Sequence, residues 1–153
     1  MRIAVARDTD ANEPRVAATP DTVKKFKALG AEVVVARGAG NASGLLDADY
    51  EAAGATISDN PVKDADLVLK VRRPAPAELA DYKRGALVVA IMDPYGNDTA
   101  LKQMADAGVT AVAMELMPRI TRAQSWTSCP RRPTSPATAP SSTPPANMAA
   151  RCR

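Results

Sequence analysis

From Arg2 to Leu116, short apolar runs alternate with helix-forming segments at close spacing. This alternation constrains the chain more than any single motif. A strand followed at once by an amphipathic helix and another strand closes most readily as a right-handed parallel unit. Repeated, such units build one mostly parallel sheet with helices on both faces.

The individual signals agree. Ile3-Ala4-Val5-Ala6 reads as a short strand, and Ala31-Glu32-Val33-Val34-Val35-Ala36 as a β-branched one. Further strands are expected at Ala55–Ser58, Ala65–Val71, Ala86–Ile91 and Thr110–Leu116. A helix should begin at Pro20, with Thr19 as cap and Asp21 at the positive end of its dipole, and stop at Gly30. Its buried stripe would be Val23, Phe26 and Leu29. Asp47–Ala53, Ala77–Lys83 and Asp98–Ala107 read as further helices, the last with Leu101, Met104 and Ala105 inward. The expected class is therefore α/β, Rossmann-like or flavodoxin-like.

In such sheets ligands sit beyond the carboxyl ends of the strands. Arg15, Lys70, Asp93 and Arg119 fall at or just after predicted strand ends, so the mouth of the domain should be polar and on balance basic. From the residues alone, Arg15 and Lys70 are either ordinary strand-end charges or a pocket for a small carboxylate. Arg72-Arg73 reads as solvated surface, and Glu115 as a cap or a partner of nearby arginines. Gly38-Ala39-Gly40 follows a strand but lacks the third glycine of G-x-G-x-x-G, and reads as a plain turn. Met114–Ser125 reads as a strand end entering a polar loop. Guanidinium and carboxamide groups there can hold phosphates, ribose or an amide.

Composition excludes several functions. The chain has no histidine, so no His-based triad or His-ligated metal site can be assembled from it. The overall charge of +3 hides two populations. Residues 126–153 carry four arginines and no acid, leaving 16 bases against 17 acids in 1–125. A near-neutral body gives no footprint for nucleic acid. No apolar run approaches the roughly 20 residues of a membrane span, and no signal peptide is evident, so direct membrane insertion is not expected and a cytoplasmic location is. Both cysteines, Cys129 and Cys152, lie in the tail and report no disulfide-bonded core.

The tail is built differently from the body. Residues 126–153 hold six of the thirteen prolines and no Val, Ile or Leu, so nothing there can offset the entropy of ordering a core. One expectation is a disordered linker. The favoured one is a reading-frame error after Ser125. Trp126 is TGG, Thr127 ACN and Ser128 TCN or AGY. Read one base earlier, these codons spell Met, Leu or Val, then Asp, then (with the TCN serine) an aliphatic residue or Phe. Continuing permits Met-Asp-Val-Leu-Ser-Ser-Gln-Ala-Asn-Leu-Ala-Gly-Tyr-Arg, an amphipathic, helix-like text. The expected division is a domain at 1–125 and an out-of-frame tail at 126–153.

With these residues in view, the body resembles the N-terminal domain shared by alanine dehydrogenase and the α subunit of proton-translocating pyridine nucleotide transhydrogenase. The matching pieces are Arg2-Ile3-Ala4-Val5, Pro14-Arg15-Val16-Ala17, Val23-Lys24-Lys25, Gly38-Ala39-Gly40, Ala52-Ala53-Gly54-Ala55, Lys70-Val71-Arg72-Arg73-Pro74 and Met114–Ser125. The last, with Met117-Pro118-Arg119-Ile120-Thr121-Arg122-Ala123-Gln124-Ser125, is similar to the transhydrogenase branch. The resemblance implies an NAD(H)-binding component that passes hydride to NADP⁺ on a separate component, coupled to proton movement through a membrane component. It implies nucleotide contacts from Arg119, Arg122, Gln124 and Ser125. The Asp that belongs with this loop is absent, Thr127 standing where the shifted codon reads Asp. The following nucleotide-binding Rossmann domain is not in the sequence, so no tight NAD(H) binding and no catalytic residue are expected of this chain alone. The implied partners are the membrane and NADP-binding components and a second copy in a homodimer, with the complex peripheral to the inner membrane. In the alanine dehydrogenase branch an Arg and a Lys hold the substrate carboxylate, matched here by Arg15 and Lys70. Its acid–base His falls near Ile91, which argues against that activity.

Overall fold

The computed structural model describes residues 1–10 and 13–117. Its strands are β1 (Arg2–Val5), β2 (Glu32–Ala36), β3 (Thr56–Ser58), β4 (Leu67–Arg72), β5 (Leu87–Ile91) and β6 (Thr110–Ala113). Its α-helices are α1 (Pro20–Ala28), α2 (Asp47–Ala52) and α3 (Asp98–Asp106). The strands form one sheet in the order β3-β2-β1-β4-β5-β6, and every neighbouring pair is parallel. This is the Rossmann order and not the flavodoxin one. Strand order reverses at β1, which pairs with β2 through Ile3 and Val33 and with β4 through Ile3 and Leu67. The crevice for a ligand therefore opens beyond the carboxyl ends of β1 and β4.

Helices cover both faces. On one, Val23 and Phe26 of α1 and Tyr50 of α2 pack with Val5, Val33 and Val35. On the other, Leu79, Tyr82 and Met104 pack with Ala4, Val68, Val88 and Ala90. Alternate residues of β1 serve the two layers, which is why the whole strand is apolar after Arg2.

Local chemistry accounts for the boundaries. Thr19 lies in extended backbone and its hydroxyl accepts the Thr22 N–H at 3.4 Å, while Pro20 occupies the first turn, where its missing N–H costs nothing. Gly30 takes φ 81° and reverses the chain into β2. Four expectations are corrected. Leu29 is 83% exposed, because α1 ends at Ala28 and the next residue leaves the helical stripe. Ala105 is also exposed, and Ala107 packs on the core in its place. The segment around Ala77–Lys83 forms a short 3-10 helix at Glu78–Asp81. The last strand stops at Ala113, and Met114–Leu116 turns as a single 3-10 turn. Arg119, Arg122, Gln124, Ser125 and the tail 126–153 lie outside the described residues.

Among the described residues, one half-face of the sheet is partly exposed. Leu87 and Val112 are 36% and 39% exposed, and Val89 and Ile91 are half-buried. These side chains alternate with Val88 and Ala90, so they point away from the layer of Leu79 and Met104.

Gly40 shows how tightly the opposite layer is closed. A Cβ there would meet the Leu45 carbonyl at 2.8 Å, the Leu45 Cβ at 2.9 Å and the Tyr50 ring at 2.9 Å. Tyr50 cannot retreat, because it is fully buried and its hydroxyl donates to the Ala18 carbonyl at 2.8 Å. The expected outcome of Gly40→Ala is a loss of about 1–3 kcal/mol from overpacking. Urea unfolding followed by circular dichroism checks it; an unchanged midpoint would refute the contact.

Candidate functional site

The polar groups gather where the topology places them, at the carboxyl ends of β1 and β4. β4 carries a register shift against β5 between Leu69 and Arg72. Beyond it the backbone N–H groups of Arg72 and Val71 donate to the Asp8 carboxylate, at 3.1 and 3.2 Å. Asp8 follows β1, so this contact ties the two strand ends together across the switch point.

Lys70 sits in the same irregular stretch. Its side chain is 1% exposed, and its Nζ donates to Glu78 Oε2 at 2.5 Å. The Ala75 N–H donates to that same oxygen at 2.9 Å. A buried ammonium requires such a partner, since an unpaired charge away from water is costly. Burial pushes the Asp8 carboxyl above its usual range, against the opposing pull of the Arg72 and Val71 amides and the Lys70 charge.

Arg15 reaches the cluster through Glu13. Its Nε donates to Glu13 Oε1 at 2.5 Å and its Nη2 to Oε2 at 2.6 Å, a forked pair. Arg72 Nε donates to the same Oε2 at 3.0 Å. The Glu13 side chain is only 3% exposed, whereas those of Arg15 and Arg72 are 52% and 54% exposed. The Arg15 hydrogen bond above all holds the Glu13 carboxyl down at about 2.

A second group closes the neighbouring strand end. Arg73 Nη1 donates to the carbonyls of Met92 and Asp93, at 3.0 and 3.3 Å, and Nη2 donates to Asn97 Oδ1. Asp93 has φ 46°, unusual for a residue with a side chain. Glu115 holds it from the other side, accepting the Met92 N–H at 3.1 Å and the Asp93 N–H at 2.5 Å. Burial alone would raise the Glu115 carboxyl; the amides of Asp93, Glu115 itself and Met92 bring it below its ordinary value.

The sequence-predicted residues thus divide. Lys70 and Arg15 do lie at the same end of the sheet, each held by a carboxylate of the chain itself. Arg72 and Arg73 are not merely solvated surface: one braces Glu13 and the other caps β5. Among the described residues Glu115 acts as a cap, accepting the backbone amides of Met92 and Asp93. Asp8, Glu13 and Glu78 were not anticipated; for Glu13, the Glu-x-Arg spacing in an extended loop was the available signal. Among the described residues no group of side chains is arranged to hold a metal ion. Two surface grooves, of about 480 and 490 Å³, are lined by other residues, and the charged cluster lies outside both.

Because Glu13 titrates at about 2 in the fold, against 4.5 ordinarily, its pairing stabilises the fold fully above pH 4.5 and is lost as pH falls toward 2. Glu13→Gln is expected to cost about 1.5–3 kcal/mol at neutral pH, the range for charge-assisted hydrogen bonds. The gap from the parent chain should narrow as acid approaches pH 2. Urea midpoints measured along a pH series check both the size and the direction.

The family model for the alanine dehydrogenase/PNT N-terminal domain matches residues 4–128. An NAD(P) transhydrogenase subunit alpha polypeptide of Rhodospirillum rubrum is 41% identical over 133 residues, covering 82% of this chain and 35% of that protein. The crystal structure of transhydrogenase from Sinorhizobium meliloti superposes with a TM-score of 0.80 at 53% identity, covering 82% of this chain and 38% of that one. An L-alanine dehydrogenase structure gives 0.71 at 29% identity, over 75% and 32%. The chain spans about a third of the length of the relatives it matches. No helix among the described residues is long and apolar enough to cross a membrane. With a family match running through nearly all of the sheet and its switch point, this chain belongs to the alanine dehydrogenase/PNT N-terminal domain family.

Proposed function

We propose that the chain is the amino-terminal portion of an NAD(H)-handling α component of a proton-translocating NAD(P) transhydrogenase, and that it is inactive alone. One observation carries the reading. Likeness to a transhydrogenase structure, 53% identity at TM-score 0.80, exceeds likeness to an alanine dehydrogenase, 29% at 0.71. The side chain at the end of β5 agrees with it. Ile91 stands near where the dehydrogenase branch has its acid–base histidine, and an isoleucine moves no proton.

In this reading the intact protein transfers hydride from NADH to NADP⁺ held on a separate component. Arg119, Arg122, Gln124 and Ser125 form the loop that closes on the nicotinamide nucleotide. Guanidinium donors suit its phosphates, and the glutamine amide suits its carboxamide. Arg15 and Lys70 belong to the crevice at the carboxyl end of the sheet. The partners are the membrane and NADP-binding components, together with a second copy of the α component, on the cytoplasmic side of the inner membrane. The domain at 1–125 is the functional unit, and 126–153 is out-of-frame text. A loop that contacts NAD(H) needs the second wall of a nucleotide-binding domain, so the isolated chain holds the cofactor weakly at best.

The experiment is a hydride-transfer assay with a nicotinamide analogue as acceptor. The 153-residue chain should give no turnover. A gene with one base restored after codon 125 should read into a glycine-rich Rossmann domain and, with the NADP-binding component, gain activity. In that restored protein Gln124→Ala is expected to slow transfer about 10–100-fold, the scale of losing a positioning contact. Turnover by the 153-residue chain unaided, or a stop codon reached in the restored frame before any such domain, would refute the proposal.

A further inference from the structure

We propose that Arg15 and Arg72 form a two-guanidinium seat for an oxyanion at the switch point of the sheet, with Glu13 as its positioning residue. The proposal rests on the geometry of these three residues and stands apart from the transhydrogenase reading. It differs from a pocket of Arg15 and Lys70. The Lys70 ammonium is buried and already held by Glu78, whereas Arg72 presents a half-exposed guanidinium beside Arg15.

Relative burial decides which side faces a ligand. Glu13 lies beneath, 3% exposed, and both guanidinium groups lie over it, more than half exposed. The carboxylate binds one edge of each cation: Nε and Nη2 of Arg15, and Nε of Arg72. Nη1 of Arg15 and both Nη atoms of Arg72 take no part in that network. A shared buried carboxylate fixes the spacing of two groups that would otherwise repel each other and turn freely. It also removes part of the rotamer entropy that a ligand would have to overcome. Two neighbouring carboxylates are committed elsewhere, Asp8 to the amides of Val71 and Arg72 and Glu78 to Lys70 and Ala75. They do not compete for the remaining guanidinium donors. Two planar forks side by side suit a group with three or four oxygens carrying more than one negative charge, such as a phosphate, better than a monocarboxylate.

The test follows the side-chain Nε–H signals of the full 153-residue chain by ¹⁵N NMR at constant ionic strength. Inorganic phosphate should move the Arg15 and Arg72 signals together and leave Arg37, paired with Asp59 on the surface, in place. Pyruvate is the second arm. It should move the same two signals at least about tenfold more weakly, which would assign the seat to a phosphate group in place of a small acid. Arg72→Gln should weaken phosphate binding about tenfold or more, the effect of removing a charged hydrogen-bonding partner. Glu13→Gln separates positioning from bulk charge. Removing a negative charge should tighten anion binding if only charge mattered, whereas a lost brace weakens it, and Glu13→Asp should recover some of the loss. Arg72→Gln alters an exposed side chain and keeps the test decisive if the Glu13 variants do not fold. Equal movement of all arginine signals, no movement of Arg15 and Arg72, or tighter binding in Glu13→Gln would each overturn the proposal.

Discussion

The fold depends on a four-residue strand with no exposed flank. β1 is hydrogen-bonded on both edges and covered on both faces, and Ile3, Ala4 and Val5 are each at most 1% exposed. Each of its backbone groups must therefore find a partner in a neighbouring strand, since water cannot reach it. That requirement places β2 and β4 on either side and makes strand order reverse there. It also dictates where polar residues can reappear. The chain meets solvent again only past the carboxyl end of β1, and Asp8 is the first acid it offers there.

From that point the electrostatics follow one another. Asp8 binds the amides that β4 frees at its irregularity, fixing the backbone beside Lys70 and Arg72. Lys70 can then be buried because Glu78, on the following 3-10 helix, reaches back to it. Arg72 leans the other way onto Glu13, where Arg15 also ends. Three cations and three carboxylates share the crevice, and a hydrogen-bonded polar network of this kind rigidifies its surroundings. This rigidity distinguishes the carboxyl end from the half-face near Leu87 and Val112, where apolar side chains meet solvent beside the exposed Thr110.

The relation to transhydrogenases and alanine dehydrogenases has a simple structural basis. Both kinds of relative share this domain with the chain over about a third of their length. A Rossmann-ordered sheet of six strands is a unit that can carry different chemistry through the side chains at its strand ends. Here those ends supply guanidinium, ammonium and carboxylate groups, with Ile91 closing β5. These strand ends carry charged side chains, and the chain contains no histidine.

Much of the architecture was legible in the residues. Valine runs marked β2, the Thr19-Pro20-Asp21 start and Gly30 stop framed α1, and close alternation implied parallel pairing with helices on both faces. These are local or near-local preferences, set by β-branching, capping and left-handed backbone. Periodicity failed at Leu29 and Ala105, because a stripe extrapolated past the end of a helix, or along a short one at the sheet's edge, need not meet the core. The site was half legible. Lys70 and Arg15 were found at strand ends, but nothing local says that Glu78 folds back on Lys70 or that Arg15 and Arg72 meet on one buried carboxylate. Arg72 and Glu13 are 59 positions apart in the chain. The sequence by itself determined the strands, the helices and the class of fold, since those depend on neighbours along the chain. Only the tertiary structure decided the Rossmann order and the pairing of charges, because both depend on which strand ends are brought side by side across the switch point.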